Sequence, residues 1–217
     1  DQKPQVRLIS KGVILPNSPD GLVLPFEAVN LKAVDVRIIR IFENNITQFM
    51  QVNDLEGASE LKRVGKIVYQ DVVPLDASPN TDLSKWNRFT LDLNKLIQAE
   101  PGAIYRVSIG FRQIHSVYPC DGDVSEDGES VSEGEEGPGI ESSFEYFDDG
   151  NRESSYWDYY DYYYYDNYWE NRENPCHKAY YGAEKSVNQN LLASDLGIIA
   201  KKGNDGSLVV FVADILK

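Results

Sequence analysis

Ala103-Ile-Tyr-Arg-Val-Ser-Ile-Gly-Phe-Arg112 decides the fold class. Ala103, Tyr105, Val107, Ile109 and Phe111 alternate with Arg106, Ser108, Gly110 and Arg112, and Ile104 is the exception. Successive side chains of a strand point to opposite faces, so a period of two predicts a half-buried β-strand. Phe89, Leu91 and Leu93 alternate with Thr90, Asp92 and Asn94 in the same way. Leu22–Phe26, Val34–Phe42 and Lys66–Tyr69 are further strand candidates. Leu196–Ala200 and Leu208–Val212 flank Gly203-Asn-Asp-Gly206 and predict a hairpin, with the Asp-Gly pair able to supply positive φ angles. Helical content is expected to be small, with one or two turns over Asn44–Gln51 and another at Asn94–Ile97, closed by Pro101-Gly102. Short strands separated by Gly, Pro and Asn clusters favour an antiparallel sandwich over a parallel α/β sheet. The expected class is an all-β, antiparallel β-sandwich.

Moving outward, the chain changes character at Cys120. From Asp121 to Pro175 there are 18 acidic residues against Arg152 and Arg172, a net charge of −16. The whole chain carries −14, so the other 162 residues sum to about +2. This stretch also holds 9 of the 14 tyrosines, most of them in Trp157-Asp-Tyr-Tyr-Asp-Tyr-Tyr-Tyr-Tyr-Asp-Asn-Tyr-Trp169. The acidity therefore belongs to an insertion rather than to the general surface. A disulfide between Cys120 and Cys176 is the first reading, pinning the insertion at its base in an oxidising compartment; two independent thiols are the alternative. Closing a loop of this length is worth on the order of 4 kcal/mol by chain entropy.

Inside the insertion, Asp121–Glu141 is rich in Glu, Ser and Gly and reads as solvated chain. Trp157, Tyr160, Tyr164 and Tyr168 fit one helical face, although Tyr is a mediocre helix former and Asp161 breaks the stripe. Helix and irregular coil both stay open. The aromatic run, Trp157, Tyr160, Tyr164, Tyr168 and Trp169 foremost, has three readings: a local aromatic core folded back onto the sandwich, a surface for a protein or glycan, or disorder.

At 217 residues the chain suffices for one well-filled domain, or one and part of another. No stretch approaches the ~18 apolar residues of a membrane span. No cationic, apolar leader is present, so any export signal is expected to have been removed or to lie outside these residues. The acidic balance argues against non-specific nucleic-acid binding, where Lys and Arg must neutralise phosphates.

Reactive chemistry is sparse. The two histidines, His115 and His177, lie far apart in sequence, and neither GxSxG nor another nucleophile signature occurs, so both are read as exposed or hydrogen-bonded side chains. Asp121–Glu129 superficially resembles a calcium loop, but an EF-hand needs Gly sixth and Glu twelfth, where Glu126 and Ser132 stand. No catalytic residue, metal site or cofactor site is nominated. Asn45-Ile-Thr47 matches a glycosylation sequon, a match common by chance.

The body offers a family resemblance. Leu22-Val-Leu-Pro-Phe-Glu-Ala-Val-Asn-Leu-Lys-Ala-Val-Asp-Val-Arg-Ile-Ile-Arg-Ile-Phe42, Leu83–Leu93 and Pro101–Val107 resemble the first macroglobulin-like domains of large bacterial α2-macroglobulin-family proteins. Ser194–Lys202 and Leu208–Asp214 resemble the opening strands of a following domain. The resemblance spans roughly 10–119 and 176–217 and leaves the insertion outside. It implies a macroglobulin-like (immunoglobulin-like) β-sandwich over 1–192, interrupted at 121–175, with 193–217 as a last strand and/or the opening hairpin of the next domain. It further implies a non-enzymatic structural domain of a protease-trapping protein, exported to a bacterial periplasm or cell surface. Partners would be neighbouring domains, target proteases through the full-length protein, and a membrane only through an anchor elsewhere. The family's reactive thioester lies in a Cys-x-Glu-Gln motif; here Cys120 precedes Asp-Gly-Asp and Cys176 precedes His-Lys-Ala, so no trapping residue carries over. The alternative is a cell-surface binding module that uses the acidic aromatic insertion.

Overall fold

A computed structural model of the protein describes residues 2–9, 14–15, 22–75, 81–98, 100, 102–120, 168–181, 183–194 and 196–214. Two sheets face each other. The smaller, in the order β1-β3-β6, contains β1 (Gln5–Leu8), β3 (Val23–Val29) and β6 (Asn87–Asp92), all antiparallel. The larger, in the order β2-β8-β7-β4-β5, contains β2 (Ile14–Leu15), β4 (Ala33–Ile41), β5 (Gly65–Pro74), β7 (Ile104–Gly110) and β8 (Val187–Ala193). Its pairings are antiparallel except for the short parallel contact of β2 with β8. The expected all-β sandwich is the architecture found.

The period of two explains the packing. Val34, Val36 and Ile38 of β4 and Tyr105, Val107 and Ile109 of β7 meet Leu24, Phe26 and Ala28 of β3 and Leu91 of β6 in one shared core. Ile104, the exception to the alternation, points to the opposite face. There it joins Ile39 and Ile41 under Phe49, Leu61 and Val64, which come from α1 (Ile46–Phe49) and α2 (Leu61–Val64). The helical segment after β4 thus gives one end of the outer face a second small core. Gly102 follows α3 (Leu93–Leu96) with φ +83°, while Pro101 of the expected closing pair lies outside the described residues.

The two sheets are joined through a tight corner at Asn30–Lys32. Asn30 is buried with φ +53°, a left-handed conformation that short Asn tolerates better than most side chains. Its N–H donates to the Leu83 carbonyl (2.7 Å), its carbonyl accepts from the Val117 N–H (3.0 Å), and its side-chain amide donates to the Gln2 carbonyl. The Lys32 N–H donates to the His115 carbonyl and the Leu75 N–H to the Lys32 carbonyl. One corner therefore holds four distant segments.

The edge of the large sheet is finished off. At β5, Val68 is an extra residue between the Ile38–Tyr69 and Ile39–Ile67 pairs, the Asp71 carboxylate accepts the Val72 N–H at 2.7 Å, and Pro74 closes the strand without an N–H. By contrast, among the described residues β9 (Leu196–Lys202) and β10 (Leu208–Asp214) pair only with each other. Their turn contains Gly206 at φ +83°, so Gly206 of the Asp-Gly pair takes the positive angle. Three strands were not expected from sequence: β1, β2 and the Asn/Gln-rich β8.

Replacing Asn30 tests the corner. Asn30→Val should destabilise by about 2–3 kcal/mol, combining left-handed strain with a lost buried hydrogen bond. Asn30→Gly should recover the strain part and lose less. Equal losses for the two variants in denaturant melts would show that the conformation is not what matters there.

Candidate functional site

The insertion leaves and re-enters the body at one place, and the chemistry of that place is built from tyrosines and lysines. Cys120 and Cys176 form a disulfide with Cα atoms 5.6 Å apart. Both cysteines are consumed by it, so no free thiol remains. The Gln113 side-chain amide donates to the Cys176 carbonyl at 3.3 Å. Just beyond, Tyr180 and Tyr181 enter the core: the Tyr180 hydroxyl donates to the Pro4 carbonyl (2.7 Å) and the Tyr181 hydroxyl to the Pro175 carbonyl (2.6 Å). The Tyr181 ring meets Phe111 edge-on at 5.9 Å. Lys185 and Lys3 lie 4.7 and 6.0 Å from the Tyr180 ring centre, and both reach Glu173. Burial pushes the Tyr180 hydroxyl up to about 12, with Glu173 adding to the effect, and burial also raises Tyr181. Both phenols are therefore hydrogen-bond donors at any ordinary pH, which suits them to satisfy carbonyls at the base.

Of the five aromatic residues singled out in the insertion, Tyr168 and Trp169 are described; Trp157, Tyr160 and Tyr164 lie outside the described residues, as do the acidic stretch and the calcium-loop look-alike. Tyr168 and Trp169 open α4 (Tyr168–Asn171), with ring centres 5.5 Å apart. Trp169 is 53% exposed, and the Arg172 guanidinium lies 4.6 Å from its ring centre. The Tyr168 hydroxyl faces Glu184 at 3.5 Å. The expectation that 157–169 folds back onto the sandwich falls mostly on residues outside the described set.

A second group was missed in the sequence. Asp35 on β4, Arg112 after β7 and His115 in the 3-10 turn Gln113–His115 converge on the outer face of the large sheet. Arg112 engages both oxygens of Asp35, Nη2 to Oδ1 at 3.0 Å and Nε to Oδ2 at 3.2 Å. His115 is 6% exposed. Its Nδ1 stands 3.5 Å from Asp35 Oδ2 without meeting hydrogen-bond geometry, and its Nε2 is 3.5 Å from Arg112 Nη2. Burial raises the Asp35 carboxyl despite Arg112. Burial, Arg112 and Lys32 together push His115 down to about 4, so the ring is neutral near pH 7. His115 is thus hydrogen-bonded, as expected, but through Nε2 to Arg112, with the ring buried and Nδ1 without a hydrogen-bond partner. One signal could have pointed to this face: Asp35 and Arg37 stand two apart in the strand pattern of β4, so the period of two puts both on the face away from Val34, Val36 and Ile38.

Further along that face, Arg106 donates to Asn190 Oδ1 (2.9 Å), and the Asn190 amide donates to the Leu55 and Gly57 carbonyls (2.9 and 2.8 Å). This pair straps the 53–59 loop to the sheet. The sequon residue Asn45 is engaged in structure, its amide donating to the Val64 carbonyl at 3.0 Å. Among the described residues there is no group of three metal-ligating side chains and no helix long and apolar enough to cross a membrane.

The geometry defines a two-sheet antiparallel sandwich carrying a disulfide-closed excursion. No family model matches the chain, and no curated protein matches it. Among solved structures, native α2-macroglobulin from Escherichia coli spanning domains MG0-NIE-MG1 is similar over 100% of this chain and 47% of that one, at 17% identity and a TM-score of 0.46. A fragment of the same protein spanning NIE-MG1 is similar over 100% of this chain and 72% of its own, at 17% identity and a TM-score of 0.48. The cryo-EM reconstruction of the native conformation of E. coli α2-macroglobulin is similar over 50% of this chain and 7% of its own, at 23% identity and a TM-score of 0.39. This chain spans about half the length of the first of these.

Removing the disulfide by a Cys120→Ser/Cys176→Ser double variant should lower stability by about 2–4 kcal/mol. Tyr181→Phe, which leaves the Pro175 carbonyl without its donor, should cost about 1 kcal/mol. Denaturant midpoints unchanged in both would mean that the base is not coupled to the core.

Proposed function

We propose that this chain is a non-enzymatic structural domain of a large bacterial α2-macroglobulin-like protein that inhibits endopeptidases and is exported to the periplasm or cell surface. In this reading residues 1–192 form one macroglobulin-like sandwich, interrupted by the acidic excursion at 121–175. Residues 193–217 supply the opening hairpin of a neighbouring domain. The sandwich positions other parts of the polypeptide, and trapping of proteases belongs to the full-length protein. No nucleic acid is involved, and any membrane attachment lies outside these residues.

The observation that supports this reading best is the β9–β10 hairpin. Its cross-strand register puts Leu196, Ile198, Ala200, Leu208, Val210 and Val212 on one face and Ile199, Val209, Phe211 and Ala213 on the other. Ile198, Ile199, Leu208, Phe211 and Val212 are each 60–69% exposed. A lone two-stranded hairpin is marginal in water, and exposed apolar surface on this scale marks an interaction face. The body guards its own edge at β5, so an unguarded, two-faced hairpin is suited to cover by further strands. The segments that carry the family resemblance coincide with β3, β4, β6, β7, β9 and β10.

The parent gene tests the reading directly: a long frame with a Cys-x-Glu-Gln motif downstream supports it, and a frame ending near Lys217 overturns it. In the protein itself, deleting 196–217 should move the melting temperature of the body by no more than about 2 °C and lower the binding of a hydrophobic dye. A large loss of stability would place the hairpin in the main core instead.

A second reading, a surface-binding module, draws on the exposed Trp169 and the aromatic acidic excursion around it. Trp169→Ala would then weaken retention of a glycan or protein ligand at least tenfold, and unchanged retention would remove this reading.

A further inference from the structure

The disulfide-bearing base is fastened to the sandwich through the turn Gln113–His115. The Lys32 N–H donates to the His115 carbonyl at 2.9 Å, the Val117 N–H to the Asn30 carbonyl at 3.0 Å, and Gln113 reaches the Cys176 carbonyl. The side chain that seats this turn is a buried histidine with no hydrogen-bond partner at Nδ1. We propose that the turn is an acid-released latch: protonation of the His115 ring loosens 113–117 from the β3–β4 corner, and with it the base that carries Cys120 and Cys176.

The surroundings offset a positive charge on the ring only weakly. Asp35 from β4 is the neighbouring anion, and both of its oxygens are engaged by Arg112. That guanidinium is as close to one ring nitrogen as the carboxylate is to the other, so the pair's field at the ring largely cancels. Lys32 from the corner adds a further positive charge. Val72 of β5 and Gly110 of β7, which flank Asp35 across the sheet, carry no charge. Arg37, two positions along the same face of β4, is turned to Gln70, its Nε donating to Oε1 at 3.0 Å.

The direction follows from linkage. The closed turn holds His115 near 4, whereas an exposed ring titrates near 6.5. The closed form therefore binds the proton less well than the open form. Its stability is fully present above about pH 6.5 and is lost as the pH falls toward 4. Between pH 7 and pH 5 the opening equilibrium should rise about 20-fold. Asp35 acts in the opposite sense, because a buried carboxyl with a raised value is relieved by acid. Of these two groups at the turn, the histidine is the one whose protonation favours opening.

Amide hydrogen exchange by NMR on the full chain, normalised to intrinsic rates at each pH, is the test. Protection of the Lys32, Ser116 and Val117 amides should fall about 20-fold from pH 7 to pH 5, while amides in the centre of β4 and β7 hold. His115→Gln should abolish the difference. His177→Gln should retain it, since that ring lies beyond Cys176 and accepts the Ala179 N–H at Nδ1. Asp35→Asn should lower protection at both pH values and keep the fall between them. Equal protection of the wild-type amides at the two pH values overturns the proposal, as does a pH response that survives His115→Gln. Direct titration of the His115 ring in the wild-type protein decides independently of any variant: a value at or above 6.5 overturns the latch, and one well below supports it.

Discussion

The corner at Asn30–Lys32 is the constraint on which the rest of the molecule hangs. A sandwich needs the chain to pass from one sheet to the other, and here β3 hands over to β4 within three residues. Leu31 fills the interior at the bend, bridged to Ser116, while the polar groups on either side of it bind Gln2, Leu83, Leu75, His115 and Val117. A buried backbone cannot leave these donors and acceptors unpaired without a large penalty. Fixing one residue at φ +53° thus fixes the relative placement of both sheets and the point from which the insertion departs.

The outer face of the large sheet shows a different economy. It is crossed by polar pairs, Arg37 with Gln70, Ser108 with Asn188 and Arg106 with Asn190. Arg37, Ser108 and Asn190 are all buried. Buried polar groups contribute less by net attraction than by the cost of mispairing them. Each pair lies across adjacent strands, so a slip of one residue between β7 and β8 would separate two of them at once, and a slip between β4 and β5 the third. The same face then receives the 53–59 loop at Asn190 and the turn bearing His115 at Asp35. Polar specificity here places the accessories, while the apolar interior supplies the cohesion.

The acidic excursion carries essentially all of the chain's net charge. The rest of the chain is nearly neutral, so the sandwich carries little charge to repel or attract it at distances beyond the roughly 8 Å reach of a field at physiological salt. The base nevertheless uses local attraction. Lys3 and Lys185 converge on Glu173, and both sit beside the Tyr180 ring, so the re-entry point is marked by cations where the excursion is anionic.

The strands with strong alternation were legible without a structure. Val34–Phe42, Phe89–Leu93, Ala103–Phe111 and the terminal hairpin each present a periodic apolar face, and periodicity is a local property of the sequence. The contrast of the 121–175 composition and the pairing of the two cysteines were legible too, since charge and cysteine count need no contacts to be read. Tertiary structure decided the rest. β8 contains Asn188-Gln-Asn190 and reads as a loop until β7 offers hydrogen-bonding partners on one side and the 53–59 loop on the other. Ile104 breaks its own alternation because α1 and α2, arriving from 40 to 60 residues upstream, make its outer face apolar. His115, Asp35 and Arg112 carry no motif, and only the fold brings a residue of β4 beside two that follow β7. Local pattern fixes which face of a strand is apolar; which distant groups come to lie against that face is set by pairing and packing, energies that exist only once the chain has closed on itself.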